Sequence, residues 1–251
     1  MPGHLMANAP QVIPDPTRNR LVQLATSEAA LKFRRNLVPV EMRFGDILHH
    51  AGVDQHYVYF PTTAVVSVLY LMSSGASAEI GLIGKDGLVG IAAALGTERS
   101  TTRAMVQVAG HGARALATDV QKLISADPTF RLLLHRYVQV MLAQATQTAV
   151  CNRYHTTLQQ LCRWILHSVD LSGSDEIVMT QQLMAEMLGV RREGISVVAA
   201  QLRSRGLIEY TRGHMRLLDR NGIEEQACEC YAAVVQEMAR LLPTPENSVQ
   251  P

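Results

Sequence analysis

Between Val178 and Leu218 the chain reads VMTQQLMAEMLGVRREGISVVAAQLRSRGLIEYTRGHMRLL, and this stretch constrains the fold more than any other. Two short amphipathic helices flank a Leu188-Gly189-Val190 turn, and a Gly-containing hairpin follows. That order is what a winged helix-turn-helix needs to lay one helix in the major groove of duplex DNA. Thr180 is placed to cap the first helix, because its hydroxyl accepts from an N–H two or three residues on. Leu183, Met184, Met187 and Leu188 supply that helix's buried side. Gly189 falls where the chain must turn sharply, and Val190 plugs the turn. In the second helix Ile195, Val198, Ala199 and Leu202 recur at helical spacing and face inward.

The residues left at the exposed start of the second helix are Arg191, Arg192, Glu193, Ser196 and Val197. Arginine bonds guanine O6 and N7 bidentately, glutamate accepts from cytosine N4, and valine meets a thymine methyl. Thr180 and Gln181 open the first helix beside them. Arg212, His214 and Arg216 sit near the hairpin tip, where a wing contacts phosphate and sets orientation. From Met187 to Leu218 there are six arginines and two glutamates, a local excess of +4 in a chain whose net charge is only +1. The expectation is a phosphate-facing footprint confined to this segment.

The 251 residues, 47% apolar, can bury one large or two ordinary cores. Residues 1–19 are Pro-rich and aperiodic and read as a flexible tail. A helix is expected over 20–35. Glycines then punctuate short apolar runs at 58–60, 64–72, 78–83, 104–110 and 113–117, the mark of an antiparallel β-roll of jelly-roll type. With a small helix at 118–125, this domain spans 20–126. Asp127-Pro128 opens a helical stretch taken to run over 127–169. Leu134, Tyr137, Met141, Ala145, Thr148, Cys151, His155, Leu158, Cys162 and Ile165 form a stripe along it. A helix of this length needs a partner: a second copy, as a dimerisation seam, or the chain's own barrel. Residues 170–225 hold the winged helix, and 226–251 a last helix (Ile223 to Leu242) and tail. The fold class is α+β.

The four cysteines, Cys151, Cys162, Cys228 and Cys230, lack the spacing of a secreted disulfide framework. No apolar run approaches a membrane span and the first residues do not form a signal peptide, so a cytoplasmic chain with reduced thiols is expected. Cys228-x-Cys230 is too short to make a four-ligand site alone, and no metal site is expected. His49, His50, His56, His111, Cys151 and His155 leave haem open, but a lone histidine is more often an ordinary polar residue. Cys151 and His155, four apart on one helical face, suit a thiolate–imidazolium pair. No orienting third residue or oxyanion loop accompanies them, so the chain is not read as an enzyme.

The string LMAEMLGVRREGISVVAAQLRSRGLIEY resembles the DNA-binding domain of the Crp/Fnr bacterial transcription regulators, at Gly189, at Arg192-Glu193, and at Leu202, Gly206, Leu207 and Ile208. Upstream, Gly45-Asp46-x5-Gly52 with Tyr57-Val58-Tyr59-Phe60 looks like the opening of a cyclic-nucleotide-binding β-roll, and Glu98-Arg99-Ser100 like its phosphate corner. The resemblance spans roughly 20–225. It implies a sensor β-roll, a long dimerisation helix, a homodimer on a two-fold symmetric operator, and RNA polymerase as a further partner. Arg192 and Glu193 carry over as base readers. A third reader, often arginine, falls at Val197. The pocket residues carried over are Gly87, Leu88, Arg99, Ser100, Thr101 and Thr148. Leu88 stands where cyclic-AMP binders place an acid on the ribose, and a buried hydroxyl left unpaired there costs about 1–3 kcal/mol. The effector is therefore open: a cyclic nucleotide, another small molecule, or none, the last making a ligand-independent DNA-binding dimer with a degenerate sensor. The amino-terminal cysteines of an Fnr-type iron–sulfur cluster are not in this sequence.

Overall fold

The computed structural model describes residues 15–242; the remainder of the expected tails, 1–14 and 243–251, lies outside the described residues. A 3-10 turn (Pro16–Arg18) leads into α1 (Arg20–Leu24) and α2 (Glu28–Arg35). The helix expected over 20–35 is thus two. Asn19 caps the first through its side-chain oxygen, and Ser27 caps the second, accepting from the Ala30 N–H. Asn19 is fully buried, and its Nδ2 donates to the carbonyls of Pro61 (2.9 Å) and Gly87 (2.7 Å), tying the entry helix to the roll.

The roll comprises β1 (Val38–Met42), β2 (Ile47–His49), β3 (Tyr57–Pro61), β4 (Val65–Leu71), β5 (Ser77–Ile83), a short α3 (Ile91–Ala94), β6 (Thr102–Val108) and β7 (Gly110–Leu116). One sheet has the order β1-β7-β3 and the other β2-β6-β4-β5, all pairs antiparallel. Two close approaches require glycine here. A Cβ on Gly112 would lie 2.7 Å from the Phe60 carbonyl oxygen, and one on Gly110 2.5 Å from the Ala64 nitrogen. Phe60, Val58, Leu88 and Ala113 share one apolar cluster with α1 and α2, while Met42, Val66, Val68, Ile83, Ala104 and Val106 form another among the strands.

α4 (Ala117–Ala126) precedes α5 (Pro128–Tyr154), which Asp127 caps by accepting from the Thr129 and Phe130 N–H groups. The stripe expected to run unbroken through 127–169 stops at Tyr154. His155 is extended, and Thr156 starts α6 (Thr157–Ser172) with a capping box shared with Gln159. The stripe is also turned into its own chain, the second of the two partners expected for it. Leu134, Tyr137, Thr148 and Cys151 are buried within their own chain, and the Tyr137 hydroxyl donates to the Leu88 carbonyl at 2.8 Å. The physical reason is that the roll and the returning C-terminal helix both need an apolar partner, and this face is the one they meet. The solvent side of α5 carries Leu132, Leu142 and Val150 instead.

The C-terminal part is β8 (Glu176–Val178), α7 (Gln181–Leu188), α8 (Arg192–Ser204), β9 (Ile208–Thr211), β10 (His214–Leu217), α9 (Arg220–Gln226) and α10 (Cys230–Leu241), with a sheet β8-β10-β9. The last helix expected from Ile223 is likewise split, at Ala227–Glu229. α10 packs back along α5, and Leu242 is fully buried with the roll's core. α6 sits under the second roll sheet. Val65, Leu69, Leu82 and Met105 of the roll share one apolar cluster with Trp164, Ile165, Met184 and Leu202 of the C-terminal part.

Candidate nucleic-acid interface

The candidate interface is built from two glycine turns and one helix start. Thr180 caps α7, its hydroxyl accepting from the Leu183 N–H at 3.2 Å. Gly189 ends α7 at φ +65°, a left-handed conformation that a side chain would strain. Met184, Met187 and Leu188 from α7 and Ile195, Val198, Ala199 and Leu202 from α8 are buried against each other and against α6. Val190 is half-buried against the same cluster.

α8 begins at Arg191, which provides no side-chain cap. Its first N–H groups are left for an external acceptor, and the positive end of the helix dipole lies with them. Arg191, Arg192 and Glu193 are exposed there, and Val197, one turn on, is 67% exposed. Ser196 is half-buried. Its Oγ lies 2.6 Å from Gln181 Oε1 and 3.1 Å from the Arg192 carbonyl, so it ties α8 to the start of α7. These side chains form one face, with Thr180 and Gln181 at its edge.

The hairpin turn between β9 and β10 has two consecutive positive φ angles, Arg212 at +50° and Gly213 at +86°. This is the two-residue turn whose twist suits a hairpin. Arg212 and His214 are exposed at its tip. Arg216 is exposed too, with its guanidinium 2.9 Å from Glu209, so part of its charge is already paired. The Tyr210 hydroxyl donates to the Met179 carbonyl at 3.0 Å and ties the hairpin to the strand before α7.

The residues expected around an effector are dispersed. Gly87 abuts Tyr137, whose hydroxyl would be 2.5 Å from an added Cβ. Leu88 is fully buried. Arg99 points to solvent and pairs with Asp54 at 2.6 Å. Ser100 Oγ lies 2.8 Å from Thr102 Oγ1, Thr101 is exposed, and Thr148 is buried on α5. Of these six, Leu88 and Ser100 line an interior cavity of about 40 Å³ with His49, Gln55, Tyr137 and Met141. A water's share of liquid is about 30 Å³, and small-molecule sites run to about 300–1,000 Å³. His49 Nε2 and both polar atoms of the Gln55 amide are buried there and find no partner among the described residues. Burial pushes the His49 imidazole down to about 4, helped by the neighbouring His50. Sequence reasoning did not single out Gln55. A wider cleft of about 550 Å³, open to solvent, is lined by Asp54, Gln55, His56, Tyr57, Glu98 and Gln121.

The cysteines are also placed differently from expectation. Cys151 and His155 meet Cys228 and Cys230 of the same chain rather than a seam. His155 Nδ1 faces Cys230 Sγ at 3.4 Å, and Cys151 Sγ lies 3.6 Å from Cys228 Sγ. Cys162 is buried elsewhere, among the residues of α6, and desolvation raises its thiol to about 12.

The family model described as a Crp-like helix-turn-helix domain matches residues 159–226. Residues 159–226 thus resemble a Crp-like helix-turn-helix, in a chain whose fold is similar to that of Crp/Fnr regulators. Among solved structures, FixK2 from Bradyrhizobium japonicum has a TM-score of 0.66 at 15% identity, covering 76% of this chain and 98% of its own. The c-di-GMP-responsive global regulator CLP from Xanthomonas campestris scores 0.58 at 15% identity, with 75% and 97% covered. A Crp/Fnr-family transcriptional regulator from Thermus thermophilus scores 0.55 at 19% identity, with 75% and 97% covered. None of the curated proteins matches the sequence. The Crp-like match starts three residues into α6, just after the helix break at His155, so the break is also where this sequence pattern begins.

Proposed function

We propose that the protein is a sequence-specific DNA-binding transcription regulator that acts as a homodimer on a two-fold symmetric operator. The observation that carries this reading is the start of α8, with uncapped N–H groups, exposed Arg191, Arg192 and Glu193, and Val197 on the same face. Arg192 and Glu193 read base edges, Val197 meets a methyl, and Arg191, Arg212, His214 and Arg216 meet phosphate. Thr180 and Gln181 flank the backbone at the start of α7. Two copies must hold their α8 helices about 34 Å apart to enter successive major grooves. The exposed Leu132, Leu142 and Val150 face of α5 supplies the apolar contact between copies. RNA polymerase is the further partner, and the cytoplasm the compartment. No helix of the described residues is long and apolar enough to cross a membrane. The likeness is to regulators, and Cys151 is fully buried.

The β-roll is the sensor in this reading. The pocket expected for a cyclic nucleotide is not assembled in this structure: Leu88 offers no carboxylate, Arg99 pairs with Asp54, and the cavity beside Leu88 and Ser100 holds only about 40 Å³. A small polar molecule meeting Gln55 and His49 fits those orphaned groups better.

Selection of bound duplexes from a random pool tests the proposal. A two-fold symmetric motif with half-sites one turn apart is expected. Arg192→Ala should relax preference at one base pair per half-site by about 1–3 kcal/mol. An equal loss on every sequence would move Arg192 to the phosphates, and a protein indifferent to all duplexes at moderate salt would end the reading. DNA affinity measured with and without small metabolites separates a sensing regulator from a ligand-independent dimer.

A further inference from the structure

We propose that Cys151, His155, Cys228 and Cys230 form a closed, four-ligand site for one divalent metal ion of the zinc type. Their ligand atoms all lie within 4.8 Å of one another. With metal–sulfur bonds of about 2.3 Å and a metal–nitrogen bond of about 2.0–2.1 Å, a tetrahedral site spaces two sulfurs about 3.8 Å apart and a sulfur and a nitrogen about 3.6 Å. The observed Cys151 Sγ–Cys228 Sγ and Cys230 Sγ–His155 Nδ1 separations are 3.6 Å and 3.4 Å. These are edges of such a tetrahedron. A cluster of several irons, whose ligand sulfurs must straddle a sulfide core, needs a wider frame.

The surroundings are arranged for ligation. Cys151 and His155 are i, i+4 at the end of α5, which puts both on one face. Cys228 comes from the short connection between α9 and α10, and Cys230 opens α10. All three thiols are buried, and His155 is mostly covered. With Nδ1 turned to the sulfurs, His155 Nε2 lies 3.4 Å from the Glu229 carboxylate. A carboxylate behind a ligating imidazole fixes its tautomer and raises its basicity. Gln147 Nε2 donates to Cys230 Sγ at 2.9 Å, so a polar donor faces the sulfur. A cluster of cysteines that served only as small apolar filler would need neither the imidazole, nor its carboxylate, nor the amide donor. Four protein ligands leave no open position, so the ion is structural rather than catalytic. It would join the end of α5 to the start of α10 at the break before α6, and so fix how the Crp-like domain leaves the long helix.

The test uses the full-length protein purified under reducing conditions without chelator. Elemental analysis is expected to give about one zinc per chain. Stripped protein titrated with Co(II) is expected to develop the visible bands of tetrahedral thiolate coordination, saturating at one equivalent. The double variant Cys151→Ser, Cys230→Ser should abolish both signals. Cys162→Ser, whose thiol lies outside the cluster, should retain them. Glu229→Gln should keep the bands and weaken cobalt affinity about tenfold. Substoichiometric metal together with no cobalt bands in folded wild-type protein would overturn the proposal. So would an intact mass two hydrogens light in the as-purified protein, which would assign the cysteines to a disulfide. The wild-type cobalt titration decides the matter even where a variant does not fold.

Discussion

The Ser67 hydroxyl has one proton and two neighbouring oxygens, Glu79 Oε2 at 2.7 Å and Gln107 Oε1 at 2.5 Å. Gln107 Nε2 donates to Ser168 of α6 at 3.0 Å, which leaves its oxygen as the acceptor for Ser67. With the Gln107 amide in this orientation, all three bonds form together when Glu79 is protonated and donates to Ser67. Burial between the roll and α6 raises its carboxyl to about 7, against the opposing pulls of Ser67, the Arg163 charge and Trp164. The folded form thus holds the proton more tightly than the unfolded chain. Its destabilising contribution is absent below about pH 4.5, grows as pH rises, and is complete above about 7. Urea midpoints of the wild type are expected to fall from pH 5 to pH 8. Glu79→Gln stays neutral and keeps a donor toward Ser67, so it should flatten that slope and gain at most about 3 kcal/mol at pH 8. An unchanged slope would show that Glu79 is already ionised. The chain offered no hint of this: Ala78-Glu79-Ile80 reads as an ordinary alternating strand, and only the arrival of α6 turns its polar face inward.

Among the elements, those with local punctuation were the legible ones. The apolar run at 58–60 falls inside β3, that at 64–72 covers β4, and that at 78–83 lies in β5, because a glycine or a turn bounds each. β1 and β2 went unseen: one contains Pro39 and the other has three residues. The break in the long helix was written in Thr156 and Gln159, a local capping signal, yet the apolar stripe runs straight across it through His155 and Leu158 and hid it. The reading helices were legible to within a residue or two because Thr180 and Gly189 carry their own backbone chemistry. The four-residue cluster was not, since Cys151 and Cys228 are 77 positions apart and only the return of α10 joins them. The hairpin tip allows a prediction at this scale. Arg212 is the one non-glycine residue at positive φ among those described. Asparagine tolerates that conformation, so Arg212→Asn should leave the unfolding free energy within about 0.5 kcal/mol of wild type. It should weaken DNA binding equally for all sequences and lower the salt slope by about one. A sequence-dependent loss in the binding titration would make Arg212 a base reader.

For the whole molecule, the question is which face of α5 meets a second copy. The inner stripe is occupied by the roll and α10, so the exposed Leu142, 59% accessible, is the residue to change. Leu142→Glu is expected to leave folding intact by circular dichroism, shift sedimentation from dimer to monomer, and remove operator binding with it. A variant that still sediments as a dimer would place the contact elsewhere. The shared cluster between roll and reading domain, from Leu69 and Leu82 to Trp164 and Met184, bears on how any signal is passed. Swinging the two halves apart would wet that seam. Such a rearrangement must carry a positive heat-capacity change and be opposed by sulfate, a calorimetric fingerprint that a hinge opening through bare solvent would lack.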